Sequence, residues 1–226
     1  MIQGVSIRIT DLLASVFALI VLSPILIPIM VLLRFTGEGE VFYRQKRVGI
    51  NGLDFGVIKF ATMLRDSAAM DSGELTIYED RRVLQVGRFL RKTKINELPQ
   101  LLNVILGQMS LVGPRPQPRA YFAVYSSEAQ ATIGSILPGL SGIGSLVFRD
   151  EEDIFRQVQD PIEFDKAVIN PHKGDLEVWY AKHRSYVNYL KLIGLTIFAV
   201  AFPKYHFYKY TFRGLPAIPE GLEAYL

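Results

Sequence analysis

The first pattern along the chain is a long, almost unbroken apolar run. Leu12–Leu33 contains only apolar residues apart from Ser15, Ser23, Pro24 and Pro28. A run of this length crosses the hydrocarbon core of a bilayer as a helix, so length alone predicts a membrane-spanning segment. The two prolines each remove a backbone hydrogen bond and bend the helix. A bent helix that enters one leaflet and returns to the same face is therefore the alternative.

The segment Gly37–Gly49 follows, then the pair Asn51-Gly52, and then Leu53–Phe60, in which polar and apolar residues alternate. Asn-Gly in this position is a strong signal for a β-hairpin. The sequence predicts two short antiparallel strands, with Lys59 at the end of the second. The polar stretch Met63–Glu79 predicts a helix and a loop, and we assign no chemistry to it.

A helical period begins at Glu97 and ends at Gly107, which predicts an amphipathic helix with a glycine stop. The apolar residues that define this period are Leu98, Leu101, Leu102, Ile105 and Leu106. Asn96 is a favourable N-cap, and Glu97 then lies in the first turn, where the helix dipole favours negative charge. The free backbone N–H groups of such a helix start also bind phosphate.

Two further patterns lie near the end of the chain. Asp175–Tyr189 predicts an amphipathic helix, and the apolar run Leu190–Pro203 is too short to span a bilayer but suits an interfacial helix. Lys204–Arg213 mixes bases and aromatics, as segments at lipid headgroups do. The chain carries no nucleic-acid-binding motif, so we expect membrane contact rather than nucleic-acid binding there.

Composition narrows the class of protein. Half of the 226 residues are apolar, which is high for a freely soluble domain, and the net charge is only +3. The chain has no cysteine, which excludes disulfides, thiolate zinc sites and a cysteine nucleophile. Its three histidines do not form a metal-ligand pattern.

The charge is concentrated around Glu97. This residue is the only carboxylate between Arg81 and Arg119, a segment that contains eight lysines or arginines. Within it, Gly113–Pro116 is a rigid turn that fixes Arg115, whose guanidinium suits bidentate phosphate contacts. The segment indicates either a site for anionic ligands or an ordinary capped helix with a solvated basic flank.

Residues 97–116, ELPQLLNVILGQMSLVGPRP, resemble the signature of the bacterial sugar transferases called monotopic phosphoglycosyl transferases. The resemblance extends to the hairpin and to residues 136–149, ILPGLSGIGSLVFR, and covers roughly residues 5–200. Members of this family move a sugar phosphate from a nucleotide sugar to a polyprenyl phosphate. The resemblance therefore implies a UDP-sugar, a polyprenyl phosphate and membrane lipids as partners, and it leaves homo-oligomerisation open.

The resemblance also implies a fold and a location. We expect a compact α+β domain of amphipathic helices and a small β-hairpin on the cytoplasmic face of the bacterial inner membrane. Family members carry a re-entrant membrane helix broken at a Ser-Pro pair, which Ser23-Pro24 matches. The expected division is an anchor over residues 1–36, a transferase domain over 37–203 and a basic-aromatic tail over 204–226.

The resemblance assigns roles to several charged residues. Lys59 matches an active-site lysine, and Arg88 and Arg91 match arginines that precede the catalytic acids, the first of them near the substrate phosphates. Arg149 matches an arginine linked to nucleotide-sugar recognition. Together with Arg115, these residues are expected to neutralise phosphates, because arginine stays charged at any physiological pH. Glu97 matches the glutamate that helps to hold Mg²⁺.

One position departs from the family. The family's catalytic pair is Asp-Glu, with the aspartate as covalent nucleophile, whereas this chain has Asn96-Glu97. An amide is a very poor nucleophile towards phosphorus. Three interpretations remain: transfer with Glu97 as nucleophile or by direct attack of the polyprenyl phosphate, substitution by another carboxylate, or a catalytically silent membrane scaffold of glycan assembly. We expect a Mg²⁺-dependent transferase that initiates a glycan.

A candidate for the other carboxylate is the acidic run Asp150–Asp153, which follows Arg149. Such a run next to a phosphate site could bind Mg²⁺ through its hard oxygen ligands. It could equally be a solvated helix start, because the helix dipole favours acids in the first turn.

Overall fold

The computed structural model describes residues 2–65, 67, 80–202 and 208–225. Most of Met63–Glu79, where a helix and a loop were predicted, lies outside them. The described helices are α1 Ile2–Phe35, α2 Gln85–Lys92, α3 Gln100–Ile105, α4 Arg119–Phe122, α5 Ser127–Gly134, α6 Ile143–Val147, α7 Glu151–Phe155, α8 Pro161–Phe164, α9 Asn170–Lys182, α10 Tyr186–Ala201 and α11 Tyr208–Thr211. The described strands are β1 Phe42–Val48, β2 Asp54–Phe60, β3 Ser110–Val112 and β4 Gly139–Ser141. The mixture of helices and small sheets confirms the α+β class.

Helix α1 continues through the Ser-Pro pair at which a break was predicted. Pro24 has no N–H, so the carbonyl of Ile20 loses the backbone donor that it would have in a regular helix. The hydroxyl of Ser23 donates a hydrogen bond of 2.7 Å to this carbonyl oxygen. The Ser23 hydroxyl therefore replaces the backbone hydrogen bond that Pro24 cannot donate to the Ile20 carbonyl.

Both ends of α1 pack against the same domain. Near its start, Arg8 donates to the carbonyls of Val104 and Ile105 at the end of α3, over 2.6 and 3.0 Å. Near its end, Leu33 is buried in a cluster with Phe60 and other residues of the domain. The helix thus lies along the domain instead of leaving it at one end.

A buried carboxylate fastens the first part of α1. Asp11 is 1% exposed, and its Oδ1 accepts hydrogen bonds from the Ser110 hydroxyl, the Leu111 backbone N–H and the Tyr189 hydroxyl. These donors lie on β3 and α10. The membrane helix is therefore attached by directional bonds to two elements of the domain as well as by apolar packing.

The predicted hairpin is confirmed. β1 and β2 pair antiparallel with Tyr43 opposite Lys59, and Asn51 and Gly52 in the turn adopt φ angles of 55° and 71°. Positive φ at these two positions matches the right-handed twist of a hairpin, and asparagine and glycine tolerate it best. The hairpin thereby fixes Lys59 at the inner end of β2.

A second, two-stranded sheet precedes the turn that carries Arg115. β3 and β4 pair in parallel, with Ser110 opposite Gly139. The two chains approach so closely that a Cβ atom on Gly139 would lie 2.0 Å from the backbone nitrogen of Gly113. This contact fixes the path of the backbone into the Gly113–Pro116 turn.

The helix predicted over Asp175–Tyr189 is divided in the structure, and the prediction of one helix was wrong. α9 ends at Lys182, and α10 begins after Ser185, whose hydroxyl accepts a hydrogen bond from the Asn188 N–H as an N-cap. The main core forms around these two helices. Its fully buried members include Ile143, Ile169, Leu176, Tyr180, Tyr189 and Leu192.

The described part of the tail belongs to this core. Tyr208, Phe212 and Leu222 are 7%, 6% and 0% exposed and pack with the core cluster, whereas Tyr210 is 87% exposed. Residues 204–207, part of the predicted headgroup segment, lie outside the described residues. Residues 208–225 therefore complete the domain and do not form a separate tail.

Large apolar side chains are exposed on several helices of the domain. Among the described residues, α1 is the one helix long and apolar enough to cross a membrane. Large exposed apolar side chains also lie on α2, α3 and α10. They are Phe89, Leu102, Leu106, Val187, Leu190, Ile197 and Val200. Exposed apolar side chains in this number are typical of a protein with a membrane or protein contact surface.

Candidate active site

The candidate site is centred on a short turn between α2 and α3. Lys94 adopts a left-handed conformation, with a φ angle of 59°, and a 3₁₀ turn over Ile95–Glu97 follows it. α3 begins only at Gln100, so Asn96 does not cap it and the N-cap prediction was wrong. The stop at Gly107 is confirmed, because this residue has a φ angle of 80° beyond the end of α3.

Glu97 is held by two bases from other parts of the chain. Arg115 donates to both of its carboxylate oxygens, over 2.7 Å from Nη2 to Oε1 and 3.3 Å from Nη1 to Oε2. The Nζ of Lys59 lies 3.8 Å from Oε1. The hairpin, the 3₁₀ turn and the Gly113–Pro116 turn therefore converge on one carboxylate.

Burial and charge act together on this cluster. Burial would raise the pKa of Glu97, but the charges of Arg115 and Lys59 outweigh it and hold that pKa well below its usual range. Glu97 in turn raises the pKa of Arg115. Burial lowers the pKa of Lys59 to about 7; Glu97 opposes this shift, and the nearby arginines reinforce it.

The cluster lies in a cleft of about 440 Å³ whose walls carry nine basic and six acidic side chains. The structure brings Asn96, Glu97, Lys59, Arg91 and Arg115 together in this cleft. The basic residues that line the cleft are Arg44, Arg47, Lys59, Arg65, Arg82, Arg91, Lys94, Arg115 and Lys173. Such a lining suits a ligand with several phosphate charges.

Two predicted residues do not line this cleft. Arg88 is exposed on α2, next to the apolar surface residue Phe89. Arg149 donates a hydrogen bond to the carbonyl of Ala199, and its Nε lies 3.9 Å from a carboxylate oxygen of Asp150. Their roles in phosphate and nucleotide-sugar binding stay predictions.

The acidic run lies at a helix start, as one of its two interpretations predicted, and its role in binding Mg²⁺ stays a prediction. It forms the start of α7, with three acids in the first turn, and two of these acids also line the cleft. Glu151 forms an ion pair with Lys173, and Glu152 lies 4.0 Å from Arg91. Across the described ranges, no cluster of three or more acids or histidines could hold a metal ion by itself.

The site suits a Mg²⁺ ion that takes few ligands from the protein better than an ion held entirely by protein side chains. The Oδ1 atom of Asn96 is buried and has no hydrogen-bond partner among the described residues, and the neighbouring Glu97 supplies carboxylate oxygens. Both are hard oxygen ligands of the kind that Mg²⁺ prefers, and this ion commonly takes its remaining ligands from water and substrate phosphates.

Glu177 is a site residue that the sequence analysis missed. It is 3% exposed, and its Oε1 accepts a hydrogen bond of 3.2 Å from the Arg115 backbone N–H. Burial raises the pKa of Glu177 to about 8. The neighbouring glycine is required, because a Cβ atom on Gly144 would lie 2.6 Å from the same carboxylate oxygen. The sequence offered one signal for the burial of Glu177, namely an acid among the apolar residues of α9, between Leu176 and Trp179.

The apolar residues next to the cleft residues in the sequence pack against α1. Phe60 follows Lys59, Ile95 precedes Asn96 and Leu98 follows Glu97 in the chain. All three apolar side chains pack in the cluster that contains Leu26 and Leu33 of α1. The chain segments that carry Lys59, Asn96 and Glu97 are therefore packed directly against α1.

Comparisons with known proteins agree with this arrangement. A model of the family described as "Bacterial sugar transferase" matches residues 2–203. "Exopolysaccharide production protein ExoY" of Sinorhizobium fredii is 38% identical over 164 residues, which cover 66% of this chain and 72% of that protein. "Uncharacterized sugar transferase EpsL" of Bacillus subtilis is 34% identical over 190 residues, 84% of each chain.

A longer relative matches only in part. "UDP-glucose:undecaprenyl-phosphate glucose-1-phosphate transferase" of Klebsiella pneumoniae is 34% identical over 197 residues, which cover 84% of this chain but 39% of that protein. The family match spans nearly the whole described domain and confirms the family predicted from the sequence. The chain belongs to the bacterial sugar transferase family.

Proposed function

We propose that this protein transfers a sugar phosphate from a UDP-sugar to a polyprenyl phosphate, and so initiates the assembly of a polysaccharide. The observation that carries the proposal is the position of Glu97, held by Arg115 and Lys59 in a basic cleft that rests on the membrane helix. A diphosphate donor needs the bases, and a lipid acceptor needs the membrane surface. The names of the relatives that act on undecaprenyl phosphate support both substrates.

The geometry favours direct transfer over a covalent step. Asn96 lacks a nucleophilic oxygen, and the carboxylate of Glu97 is engaged by two hydrogen bonds from Arg115. The pKa of Glu97 is also held well below its usual range by its basic neighbours, which makes this carboxylate a weak nucleophile. Glu97 therefore orients the two bases.

In the proposed step, an oxygen of the polyprenyl phosphate attacks the phosphorus that carries the sugar. The new P–O bond forms as the bond to the bridging oxygen breaks, and UMP leaves with that oxygen. The reaction depends mainly on positioning and charge neutralisation, which Arg115, Lys59 and Arg91 supply. Mg²⁺, held by Glu97 and Asn96, would neutralise further charge on the diphosphate.

We also propose that α1 is re-entrant and that the cleft faces the cytoplasm. Arg8 and Leu33 contact the same domain, whereas a spanning helix would carry one of its ends to the other face. The bend expected at Ser23-Pro24 would let the apolar middle enter one leaflet. Single cysteines at Gly4 and Gly39 test this, since the native chain has none. Both should be protected from a membrane-impermeant thiol reagent in intact cells and react in inverted vesicles.

Turnover tests the proposed activity. The full chain in nanodiscs with Mg²⁺, undecaprenyl phosphate and a panel of UDP-sugars should release UMP, and Glu97→Gln should abolish this release. Asn96→Asp tests the alternative function, a catalytically silent scaffold, which the amide at position 96 favours. Activity that appears only in Asn96→Asp would support the scaffold, whereas turnover by the native chain would exclude it.

A further inference from the structure

A buried asparagine on α3 holds the strand that carries Lys59. Asn103 is 0% exposed, and its side-chain amide makes three hydrogen bonds. Its Oδ1 accepts from the Ile58 backbone N–H over 2.9 Å, and its Nδ2 donates to the Gly56 carbonyl over 2.8 Å. The same Nδ2 donates to Oε1 of Gln108 over 2.7 Å. The amide therefore binds β2 at two backbone positions and is itself held by a third bond.

This contact replaces a missing strand at the open edge of β2. Among the strands that the structure describes, β2 pairs with β1 alone. The backbone groups on its other edge therefore need partners that are not strands. A side-chain amide carries an N–H donor and a C=O acceptor, as a peptide group does. Asn103 thus satisfies one backbone carbonyl and one backbone N–H that a neighbouring strand would otherwise bind.

The position of Lys59 follows from the same contact. Side chains two residues apart in a strand share a face of the sheet, so Val57 and Lys59 point to the same side. Val57 is 1% exposed and packs in a cluster with Val104 of α3. The Nζ of Lys59 lies 3.8 Å from Oε1 of Glu97. Because Asn103 binds the residues on either side of Val57, it fixes β2 immediately before Lys59.

The acid that Lys59 faces belongs to the same stretch of chain as the asparagine. Glu97 ends the 3₁₀ turn, and Asn103 lies on α3, which begins at Gln100. One short segment therefore carries the carboxylate and also binds the strand that carries the base. The separation of Lys59 from Glu97 thus depends on the bonds that Asn103 makes to β2.

We infer that Asn103 is a positioning residue for the transfer step and acts through Lys59, by fixing β2 relative to Glu97. This inference rests on the proposed function, in which Lys59 neutralises phosphate charge. Asn103 is not part of the cleft lining, so it influences a ligand there only through the residues that it holds. Its effect on the reaction should therefore disappear when the amine of Lys59 is removed.

A double-mutant cycle on the full chain in nanodiscs tests this inference. With the UDP-sugar that the native chain turns over fastest, kcat/KM is measured for the native protein, Asn103→Ala, Lys59→Ala and the double variant. Asn103→Ala alone should lower kcat/KM by roughly tenfold or more, because a small misplacement of a group that acts on the substrate is costly. In the Lys59→Ala background it should change kcat/KM by less than about twofold. The thermal midpoint should fall by a similar amount in both backgrounds.

Two further variants keep the test decisive if Asn103→Ala folds poorly. Gln108→Ala changes an exposed side chain and removes only the bond that holds the Asn103 amide. It should cause a smaller loss of kcat/KM, which also disappears without Lys59. Asn188→Ala is the matched control, because Asn188 donates to the His183 carbonyl over 2.9 Å and lies outside the cleft lining. This control should keep the native kcat/KM.

The outcomes that would overturn the inference are distinguishable from failure of the proposed function. If the native chain is active and Asn103→Ala lowers kcat/KM by the same factor with and without Lys59, the asparagine acts on stability alone. If the folded Asn103 and Gln108 variants keep the native kcat/KM, no positioning role exists. In both cases the proposed function stands. If the native chain turns over no UDP-sugar, the proposed function falls and the inference falls with it.

Discussion

Arg115 donates two hydrogen bonds to Glu97, over 2.7 and 3.3 Å, from a turn whose own backbone is held by Glu177. The carboxylate of Glu97 thus orients the guanidinium, and the carboxyl group of Glu177 holds the backbone that carries it. The arginine reaches the cleft with both its side chain and its main chain fixed, which is the preorganisation that phosphoryl transfer requires.

Arg115→Lys tests the importance of the two hydrogen bonds from the Arg115 guanidinium to Glu97. Lysine keeps the charge but loses the two parallel hydrogen bonds, so kcat/KM for the UDP-sugar should fall roughly a hundredfold or more. Arg119→Lys is the matched control, because Arg119 is exposed, pairs with Asp54 and lies outside the cleft lining. Equal effects of the two substitutions in initial-rate measurements would contradict a special role for Arg115.

Lys59 should give the donor kinetics a pH dependence. Burial lowers the pKa of Lys59 to about 7, so the side chain is charged below this pH and loses its charge above it. If the charge neutralises phosphate, kcat/KM should fall as pH rises through about 7. Lys59→Arg stays charged and should extend the activity to higher pH. A native profile that does not fall in this region, or a variant with the same profile, would contradict this role.

Glu177 should make stability decrease with rising pH. Burial raises the pKa of Glu177 from 4.5 to about 8. Between these values the folded state keeps a proton that the unfolded state has released, so stability falls as pH rises and levels off above about 8. The contribution is on the order of a few kcal/mol. The fluorescence of Trp179, the only tryptophan, reports the thermal midpoint.

Glu177→Gln should flatten this dependence while keeping an oxygen that accepts from the Arg115 N–H. Glu163→Gln, at an exposed position, should retain the native slope. A native pH dependence that persists unchanged in Glu177→Gln would show that another group is responsible.

The Ser23-Pro24 pair predicts a coupling between two substitutions. Ser23→Ala removes the donor to the Ile20 carbonyl and should destabilise the protein by about 1 kcal/mol. In a Pro24→Ala background the backbone N–H returns and satisfies this carbonyl, so the same serine substitution should cost much less. A double-mutant cycle on thermal stability measures the difference. Equal costs in both backgrounds would show that the hydroxyl does not compensate for the proline.

The sequence predicted what local signals determine. Asn51-Gly52 specified the hairpin through its tolerance of positive φ, and Gly107 specified the end of α3 in the same way. The cluster of bases around Glu97 predicted an anionic ligand before any geometry was known. The resemblance matched Lys59 and Arg91 to family residues, and the Gly113–Pro116 turn indicated Arg115 as a phosphate-binding residue. All three line one cleft in the structure.

Long-range contacts determine what the sequence did not predict. Asn96 is an excellent cap by type, but the left-handed Lys94 and Pro99 delay the start of α3 and direct the amide into the cleft. The burial of Glu177 arises from packing between distant segments, and the one local signal was an acid among the apolar residues of α9. Ser185 separates α9 from α10 because its hydroxyl caps α10, a signal that the continuous aromatic pattern concealed.

The most direct test of the central claim is UMP formation by the native chain in nanodiscs, measured with and without undecaprenyl phosphate. Direct transfer predicts no release from UDP-sugars without the acceptor, and release equal to the lipid-linked sugar phosphate once the acceptor is added. A stoichiometric burst of UMP without acceptor, with a matching increase in protein mass, would contradict direct transfer. No release from any donor under either condition would contradict the transferase itself.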